Sequence, residues 1–307
     1  MSQSPYRGRF APSPTGPLHI GSLIAAMASY LDARAHRGQW LVRMEDLDPP
    51  REMPGAAESI LRTLEAYGFE WDETVWYQSR RSEIHQLYID RLLEAGLAFH
   101  CGCSRRDIRE HAVVIGPEGP IYPGTCRDGL PAGRKPRTVR LRVADTQIHF
   151  EDRLQGGQRQ NLARELGDFV VRRADGLFAY QLAVVVDDAA QGITDVVRGS
   201  DLLSSTLRQC WLQSQLGLTR PRYMHIPVAV NAAGAKLSKQ THAPPLDPTE
   251  PVPALWRAAA FLGLEPPPEL RMDSTATFWQ WARVHWRADK LRGVSAKPES
   301  PTENGPV

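Results

Sequence analysis

Apolar residues at the start of the chain follow the periods of a strand, a helix and a second strand. The pattern predicts a strand over residues 7 to 11, a helix from about Ser22 to His36 that Gly38 closes, and a strand over residues 39 to 44. This spacing is typical of a βαβ unit, which implies a parallel sheet with a ligand crevice at the carboxyl ends of its strands. Ser13 and Glu45, which follow the two strands, are therefore expected at that crevice.

The rest of the pattern predicts an α/β protein whose parallel sheet is split by an insertion. Helical periodicity continues to about residue 95, short strands and a Gly/Pro-rich loop follow, and the first pattern then resumes and includes a strand over residues 223 to 230. We expect disorder from Gly293 onward, where Pro, Ser, Gly and Glu dominate. The predicted parts are the first half of the parallel-sheet domain (1–98), an inserted subdomain (99–167), the second half of that domain (168–246), and a helical remnant with a disordered tail (247–307).

Composition narrows the class of protein. Hydrophobic residues make up 42% and charged residues 23% of the chain, and no apolar run reaches the roughly 20 residues of a membrane span. The first residues do not form a secretory signal, so we expect a cytoplasmic protein. A net charge of +2 does not by itself indicate a nucleic-acid partner. Two local clusters indicate either such a contact or a solvated face: Arg105, Arg106 and Arg109, and Arg134, Lys135, Arg137, Arg140 and Arg142.

The four cysteines are Cys101, Cys103, Cys126 and Cys210. The first three lie close together in a chain without an export signal, which favours a metal over disulfides, although reduced thiols without metal are the alternative. Cys210 falls on a predicted helix and is most simply a core thiol. A structural zinc needs a fourth ligand. The candidates are His100, His111 and Tyr122.

Two short motifs lie far apart in the sequence, the first at a strand-to-helix turn and the second on a Gly-bearing loop. They are His19-Ile20-Gly21-Ser22 and Lys236-Leu237-Ser238-Lys239-Gln240. The free N–H groups of a helix start attract phosphate, and glycine lets the backbone approach it. The pair resembles the H-I-G-H and K-M-S-K-S signatures of class I aminoacyl-tRNA synthetases, with departures at Ser22, Leu237 and Gln240.

That resemblance implies a Rossmann-like catalytic domain that activates a carboxylic acid with ATP, accompanied by Mg²⁺. Charge builds on the phosphoryl oxygens in the transition state, and donors aimed at that charge do most of the catalysis. The resemblance assigns catalysis to His19, Lys236 and Lys239. It assigns ATP binding to His19, Gly21, Ser22 and Lys239.

Further segments resemble the glutamyl branch of this family. They are Arg9-Phe-Ala-Pro-Ser-Pro-Thr-Gly, Arg43-Met-Glu-Asp-Leu-Asp, Tyr180-Gln-Leu-Ala-Val-Val-Val-Asp-Asp and Thr194-Asp-Val-Val-Arg198. By this resemblance Arg9, Tyr180 and Arg198 hold the side-chain carboxylate of L-glutamate, and Glu45 with Ser13 holds its amino group. Val184 departs from the pattern, which has Asn there. Tyr122-Pro-Gly-Thr-Cys126 resembles half of the zinc site of this branch, so Tyr122 is the expected fourth ligand of one structural Zn²⁺, with Cys101, Cys103 and Cys126.

The segment after Gln240 is short, whereas a discriminating glutamyl-tRNA synthetase continues with a large helical anticodon-binding domain. Over residues 5 to 290 the resemblance is therefore closest to the glutamyl-queuosine tRNA(Asp) synthetases, a truncated branch without that domain. It implies that glutamate is transferred to the queuosine base at the wobble position of tRNA(Asp). We expect a monomer that takes L-glutamate, ATP and queuosine-bearing tRNA(Asp).

Three alternatives remain. The first is a truncated glutamyl-tRNA synthetase that charges the 3′ end of tRNA(Glu). The second is a non-catalytic paralogue that binds glutamate or an adenylate, against which stands the presence of the expected site residues. The third is another nucleotidyltransferase of the same fold, similar to pantothenate synthetase, against which stand the inserted cysteines and the basic clusters.

Overall fold

The computed structural model of the protein describes residues 5–231, 234, 236–237 and 244–299. Its helices are α1 Ile20–Ala35, α2 Ala56–Ala66, α3 Ser82–Glu94, α4 Arg105–His111, α5 Leu162–Glu165, α6 Tyr180–Ala190, α7 Leu203–Leu216, α8 Pro251–Phe261 and α9 Thr275–His285. Its strands are β1 Arg7–Phe10, β2 Gln39–Met44, β3 Trp76–Tyr77, β4 Ala98–Cys101, β5 Ile115–Gly116, β6 Gly119–Pro120, β7 Thr138–Leu141, β8 Gln147–Asp152, β9 Gly156–Asn161, β10 Phe169–Arg172, β11 Asp195–Gly199, β12 Arg222–Ile226, β13 Val228–Val230 and β14 Ala296–Pro298.

The predicted βαβ unit is present at the start of the chain. β1 runs parallel to β2, with Arg9 opposite Leu41, and β2 runs parallel to β3. Helix α1 connects the first two strands and is followed by a tight return to β2. Arg37 takes the left-handed conformation of this return, at φ 53°. Gly38 is required for another reason, because a Cβ there would overlap the carbonyl oxygen of Tyr6.

The second half of the chain continues the parallel sheet beside β1. The Thr194 amide, just before β11, donates to the Arg7 carbonyl at 2.9 Å. β11 runs parallel to β12, and β12 runs parallel to β8. The strand predicted over residues 223 to 230 is broken at Pro227 into β12 and β13, because proline has no N–H to donate to a neighbouring strand. The carboxyl ends of β1, β2, β11 and β12 therefore lie along one edge.

The segment predicted as an insertion is tied to the main fold by an antiparallel sheet. β7 pairs with β4 on one side and with β10 on the other. β8, within the same segment, belongs instead to the other sheet, where it pairs with β12 and β9. Beneath β4 and β7 lies a small core of Phe99, Tyr122 and three cysteines. The domain boundaries of the sequence analysis remain predictions.

The largest apolar core surrounds α1 and includes the C-terminal helices α8 and α9. The ring of Tyr30 meets those of Trp40, Phe69 and Trp279 edge-on at 5.1, 5.4 and 5.0 Å. Removing a buried aromatic ring of this kind costs about 3–5 kcal/mol of stability. Helix α9 thus packs against α1 and α8 in this core.

The chain after α9 returns to the sheet. β14 pairs in parallel with β13, and the Val228 amide donates to the Ser295 carbonyl at 3.0 Å. The expectation of a disordered tail from Gly293 is wrong for residues 293 to 299, because these backbone hydrogen bonds order the segment despite its polar composition. Within the described residues, none of the helices has the length and apolar content to cross a membrane.

Candidate active site and metal centre

A cavity of about 380 Å³ lies where the ends of β1, β2, β11 and β12 meet the start of α1. It brings together the residues that the motifs singled out, apart from one. Those that line it are Arg9, Ser13, His19, Gly21, Ser22, Glu45, Tyr180, Arg198 and Lys236. Lys239 lies outside the described residues, so its role stays a prediction.

At one end of the cavity the two signature motifs meet. His19 caps α1 by accepting the Gly21 amide on Nδ1 at 3.1 Å, so a neutral His19 carries its proton on Nε2. A Cβ on residue 21 would lie 3.0 Å from His19 Cε1 and 3.2 Å from the Leu237 carbonyl oxygen. A side chain at this point would thus be in tight contact with His19 and with the second motif, which favours glycine. His19 also forms a bridge with Pro245, where the described chain resumes.

Lys236 adds a cation at the same end. Its Nζ lies 2.6 Å from Oδ2 of Asp201, and both residues line the cavity. The two side chains are 47% and 35% exposed, and a pair in contact with solvent adds little to stability. An entering phosphate group can therefore replace the carboxylate as the partner of Lys236.

One wall of the cavity, formed by β1, β2 and α6, balances two arginines with two carboxylates. Asp188 Oδ1 lies 3.1 Å from Arg9 Nε and 2.8 Å from Arg43 Nη2, and Arg43 Nη2 lies 3.3 Å from Glu45 Oε1. Burial by itself raises the pKa of Asp188, but Arg9 and Arg43 outweigh it and the pKa is lowered. For Glu45, burial outweighs both arginines and the pKa is raised. We call these four residues the balanced wall.

A second wall, formed by β11, β12, the start of α6 and α7, holds Arg198 among neutral groups. The guanidinium donates to Tyr180 Oη at 3.2 Å, His225 Nε2 at 3.1 Å, and Thr206 Oγ1 and Gln209 Oε1 at 2.8 Å each. His225 Nδ1 donates in turn to Oδ2 of the buried Asp152 at 2.6 Å. We call Arg198 and its four acceptors the neutral wall.

Sequence reasoning missed the partners that hold the two site arginines. Asp188 and Arg43 lie within segments that resemble the glutamyl branch, so that resemblance was a signal from which they could have been found. His225 and Gln209 carry no such signal, since His225 is a single imidazole in a short strand and Gln209 is one of several polar residues on its helix. Val184 is buried in the apolar core beneath α6 and does not line the cavity.

The cysteine cluster predicted from the sequence is present, apart from the cavity. The Sγ atoms of Cys101, Cys103 and Cys126 all lie within 4.8 Å of one another. Among the described residues, neither His100 nor His111 places a ring nitrogen in this group. The Cys103 and Cys126 sulfurs are 3.7 Å apart, close to the edge of about 3.8 Å of a tetrahedron with zinc–sulfur bonds of about 2.3 Å. Tyr122 Oη lies 3.4 Å from Cys101 Sγ.

The surroundings of the cluster favour a thiolate at one position. Burial alone raises the pKa of Cys101, but hydrogen bonds from Tyr122 and the Cys103 amide, together with Arg140, lower it to about 7. Burial and the neighbouring Cys101 raise the pKa of Cys103 to about 11. Only the thiolate binds a metal, so three sulfurs at this spacing fit a tetrahedral cation that would deprotonate them together.

The fold regroups the basic clusters of the sequence. A cleft of about 980 Å³ beside the cysteine cluster is lined by six arginines, Arg51, Arg105, Arg106, Arg137, Arg140 and Arg173, and by two aspartates, Asp48 and Asp175. Arg51 and Arg173 were not predicted, while Arg109, Arg134, Lys135 and Arg142 do not line it. Arg140 is buried, and its Cζ lies 4.2 Å from the centroid of the Tyr122 ring. Its side chain therefore packs against the small core of the insertion.

Known proteins resemble the chain over most of its length. Residues 6–245 match the family described as class I tRNA synthetases (E and Q), catalytic domain. A glutamyl-Q tRNA(Asp) synthetase of Dechloromonas aromatica is 59% identical, covering 94% of this chain and 96% of that protein. A protein of the same name from Chromobacterium violaceum is 55% identical, covering 95% and 97%. A solved glutamate tRNA ligase from Elizabethkingia meningosepticum, in complex with its amino acid, has TM-score 0.79 and 25% identity, covering 97% of this chain and 67% of that chain.

Proposed function

We propose that this chain, which belongs to the glutamyl-Q tRNA(Asp) synthetases within the class I tRNA synthetases, activates L-glutamate with ATP and transfers it to the queuosine base of tRNA(Asp). The observation that carries the proposal is the meeting of both signature motifs and an arginine with neutral partners in one cavity. The enzyme is then a ligase that forms an adenylate and passes the acyl group to a nucleoside.

In the first step, an oxygen of the glutamate α-carboxylate attacks the α-phosphorus of ATP. The bond from that phosphorus to the bridging oxygen breaks, and pyrophosphate leaves with the electron pair. In our assignment His19 donates from Nε2 to the phosphates, with the amides of Gly21 and Ser22 beside it. Lys236 and, by its motif, Lys239 neutralise the charge from the other side. ATP brings Mg²⁺, which would neutralise phosphate charge.

In the second step, a hydroxyl oxygen of the acceptor attacks the carbonyl of the glutamyl adenylate. The anhydride bond breaks, AMP leaves with the electron pair, and the hydroxyl proton is released. The acceptor that we assign is the ring diol of queuosine, which resembles the ribose diol of a terminal adenosine. A catalytic cavity built for one diol can therefore admit the other.

Glutamate orients between the two walls. Arg198 and Tyr180 on the neutral wall take the side-chain carboxylate, joined by the donors of Arg9 that Asp188 does not occupy. Glu45 and Ser13, on the facing side, take the amino group. Placing the ammonium near Asp188 and Glu45, and the carboxylate near Arg198, matches charge at both ends of the ligand.

The arginine cleft fits the phosphates of the tRNA. Arg105 and Arg137 contact no carboxylate in the part of the chain that the structure describes, whereas Arg51 and Arg173 pair with Asp48. Asp48 follows Glu45 by three residues, which limits their separation to about 11 Å. A strand of phosphates held in the cleft would thus run toward the cavity, and such contacts make affinity fall with salt.

The cysteine cluster holds one structural Zn²⁺ in our proposal, with Cys101, Cys103, Cys126 and Tyr122 as ligands. The ion would pin the loop between β4 and β7 beside the cleft and supply no chemistry to the cavity. Metal analysis of the purified protein should give about one zinc per chain. Cys126→Ser should remove it, and a wild-type protein without zinc would refute the site.

ATP, tRNA and the reduced thiols of the chain agree with a cytoplasmic protein, and we propose a monomer, which light scattering would test. The decisive experiment offers ATP, labelled pyrophosphate and single amino acids without tRNA, then labelled glutamate with tRNA(Asp) that carries or lacks queuosine. We expect exchange with glutamate and transfer only to the queuosine-bearing tRNA. Transfer to the 3′ end of tRNA(Glu) would replace the proposal with a truncated glutamyl-tRNA synthetase, and no exchange with any amino acid would overturn it.

The contribution of the cleft is tested separately. The double variant Arg105→Ala/Arg137→Ala should raise the KM for tRNA(Asp) by about tenfold and flatten its dependence on salt, since two phosphate contacts are lost. Arg164→Ala, an exposed arginine paired with Asp145 outside the cleft, is the control for loss of surface charge. Equal effects of the two variants would show that the cleft has no special role.

A further inference from the structure

Arg198 is a buried cation whose protein partners on the neutral wall are all uncharged. It is 5% exposed, and four of the five N–H groups of its guanidinium reach Tyr180, His225, Thr206 and Gln209. The fifth, on Nη1, belongs to a side chain that lines the cavity. No carboxylate pairs with Arg198 among residues 5–231, 234, 236–237 and 244–299.

Two of these partners can titrate, and their surroundings keep them neutral. The Nδ1–H of His225 donates to Asp152, which leaves Nε2 as the acceptor for Arg198. Burial, and then Arg198, lower the pKa of His225, although Asp152 and Asp201 oppose them. Burial raises the pKa of Tyr180, although Arg198 opposes it. Tyr223, stacked on His225, is buried as well and its pKa is also raised.

Arg9, the other arginine of the cavity, is held in the opposite manner. Its Nε and Nη2 both donate to Asp188, at 3.1 and 3.4 Å, so its charge is already matched. A ligand carboxylate can still accept from the free donors of Arg9, but it gains less there than from a cation without a carboxylate partner. Of the two arginines that line the cavity, Arg198 is therefore the one that no carboxylate in the described residues matches, and the imidazole ring of His225 separates it from Asp152.

We propose that the neutral cage around Arg198, formed by Tyr180, Thr206, Gln209 and His225, is what makes the pocket select a carboxylate over a carboxamide. The cage fixes the guanidinium without supplying negative charge, so the ligand must supply it. Gln209 and His225 are thus specificity-determining positioning residues. The inference rests on the proposed function, because it concerns how the same cavity distinguishes glutamate from glutamine.

The chemistry of the two ligands explains the selection. A glutamate side chain accepts from Arg198 and cancels its charge in a buried site. The carboxamide of glutamine brings no charge and turns N–H donors toward a group that only donates. Sites that leave buried polar groups unpaired against the wrong substrate reject it by large factors.

The test places a carboxylate inside the cage. Gln209→Glu replaces Nε2 by oxygen and keeps Oε1, which accepts from Arg198 Nη2 at 2.8 Å, so a carboxylate would then contact the guanidinium. Gln209 Nε2 donates to Gln181 Oε1 at 2.9 Å, and a turned Gln181 amide would donate back to the new carboxylate. The KM for glutamate should rise by about 100-fold, and the preference for glutamate over glutamine should fall by a similar factor.

The same variant gives a second readout that a purely structural role would not produce. The buried guanidinium gains a counter-ion, so the unfolding midpoint should equal or exceed that of the wild type while glutamate activation falls. A lower midpoint with unchanged preference for glutamate over glutamine would overturn the proposal. An unchanged KM and preference in a stable protein would overturn it as well.

Two substitutions at His225 distinguish the contributions of its ring nitrogens, Nδ1 and Nε2. Gln at this position keeps an acceptor near the place of Nε2, whereas Asn keeps a donor near the place of Nδ1 and loses the acceptor for Arg198. The KM for glutamate should rise about tenfold more in His225→Asn than in His225→Gln. His85, equally buried and paired with Asp187 at 3.1 Å, supplies the matched controls His85→Asn and His85→Gln. Equal KM values for the two His225 variants would contradict the cage.

Pyrophosphate exchange by the wild type shows whether a negative result rejects the proposed function or the cage around Arg198. A wild type that exchanges with no amino acid rejects the proposed function and the cage together. A wild type that activates glutamate, beside a Gln209→Glu variant that keeps its preference, rejects the cage alone.

Discussion

The two walls of the cavity hold their arginines in opposite ways. On the balanced wall Arg9 and Arg43 share Asp188, and Glu45 accepts from Arg43, so positive and negative groups match before any ligand enters. On the neutral wall, within the part of the chain that the structure describes, Arg198 donates to a phenol, a hydroxyl, an amide and an imidazole. Burial alone therefore does not show whether an arginine stabilises the fold or binds a ligand. The charge of its partners decides whether it supports the fold or awaits an anion.

The largest effect is expected from Arg198→Ala. It removes the unmatched cation that we assign to the substrate carboxylate, so glutamate-dependent pyrophosphate exchange should fall by about 10³-fold or more, while ATP binding is retained. Exchange kinetics and titration with ATP measure the two effects. Near-normal exchange would show that the walls do not differ in the way that their charges suggest.

The next effect is expected from Asp188→Asn on the balanced wall, and it concerns stability. Loss of the shared carboxylate leaves Arg9 and fully buried Arg43 without their common counter-ion, so the free energy of unfolding should fall by about 3 kcal/mol. Urea denaturation measures it. Asp145→Asn, which breaks an exposed pair with Arg164, should leave the free energy of unfolding almost unchanged. Equal losses would remove the distinction between the buried network and a surface pair.

The pKa of Asp188 predicts how this difference depends on pH. Because Arg9 and Arg43 lower that pKa below the ordinary value despite burial, the folded state binds fewer protons than the unfolded state. The stabilisation is present above the ordinary Asp pKa of about 3.9 and is lost as pH falls through the lowered value. The gap between wild type and Asp188→Asn should therefore narrow below about pH 4. Denaturation between pH 3 and 6 measures it, and a constant gap would argue against an ionised Asp188.

Local motifs predicted residues that line the cavity, but they did not predict what holds those residues. The segment from Arg9 to Ser22 lies on one strand, turn and helix start, so its sequence was sufficient to place it at the cavity. Arg9 meets Asp188, 179 positions later, and His225 meets Asp152 across 73 positions. Such contacts depend on which strands become neighbours. No local period encodes that order.

The sequence predictions of the basic clusters and of the tail from Gly293 were wrong in part, and for the same reason. Arg51 joins Arg105 in the cleft only because the segment after β2 lies beside the insertion, and Arg140 leaves the surface because β7 is the central strand of its sheet. The residues after Gly293 have a polar composition, yet β14 is ordered by β13. Composition describes a segment alone, whereas order depends on its neighbours.

The smallest effect is expected from Tyr180→Phe on the neutral wall. Tyr180→Phe removes one neutral acceptor from Arg198 but leaves the charge unmatched, so the KM for glutamate should rise only about three- to tenfold, the value of one hydrogen bond of about 0.5–1.5 kcal/mol. Preference for glutamate over glutamine should persist, because the cation that creates it is still present. Steady-state exchange with both amino acids measures this. A loss as large as that of Arg198→Ala would mean that the phenol, and not the guanidinium charge, distinguishes the two ligands.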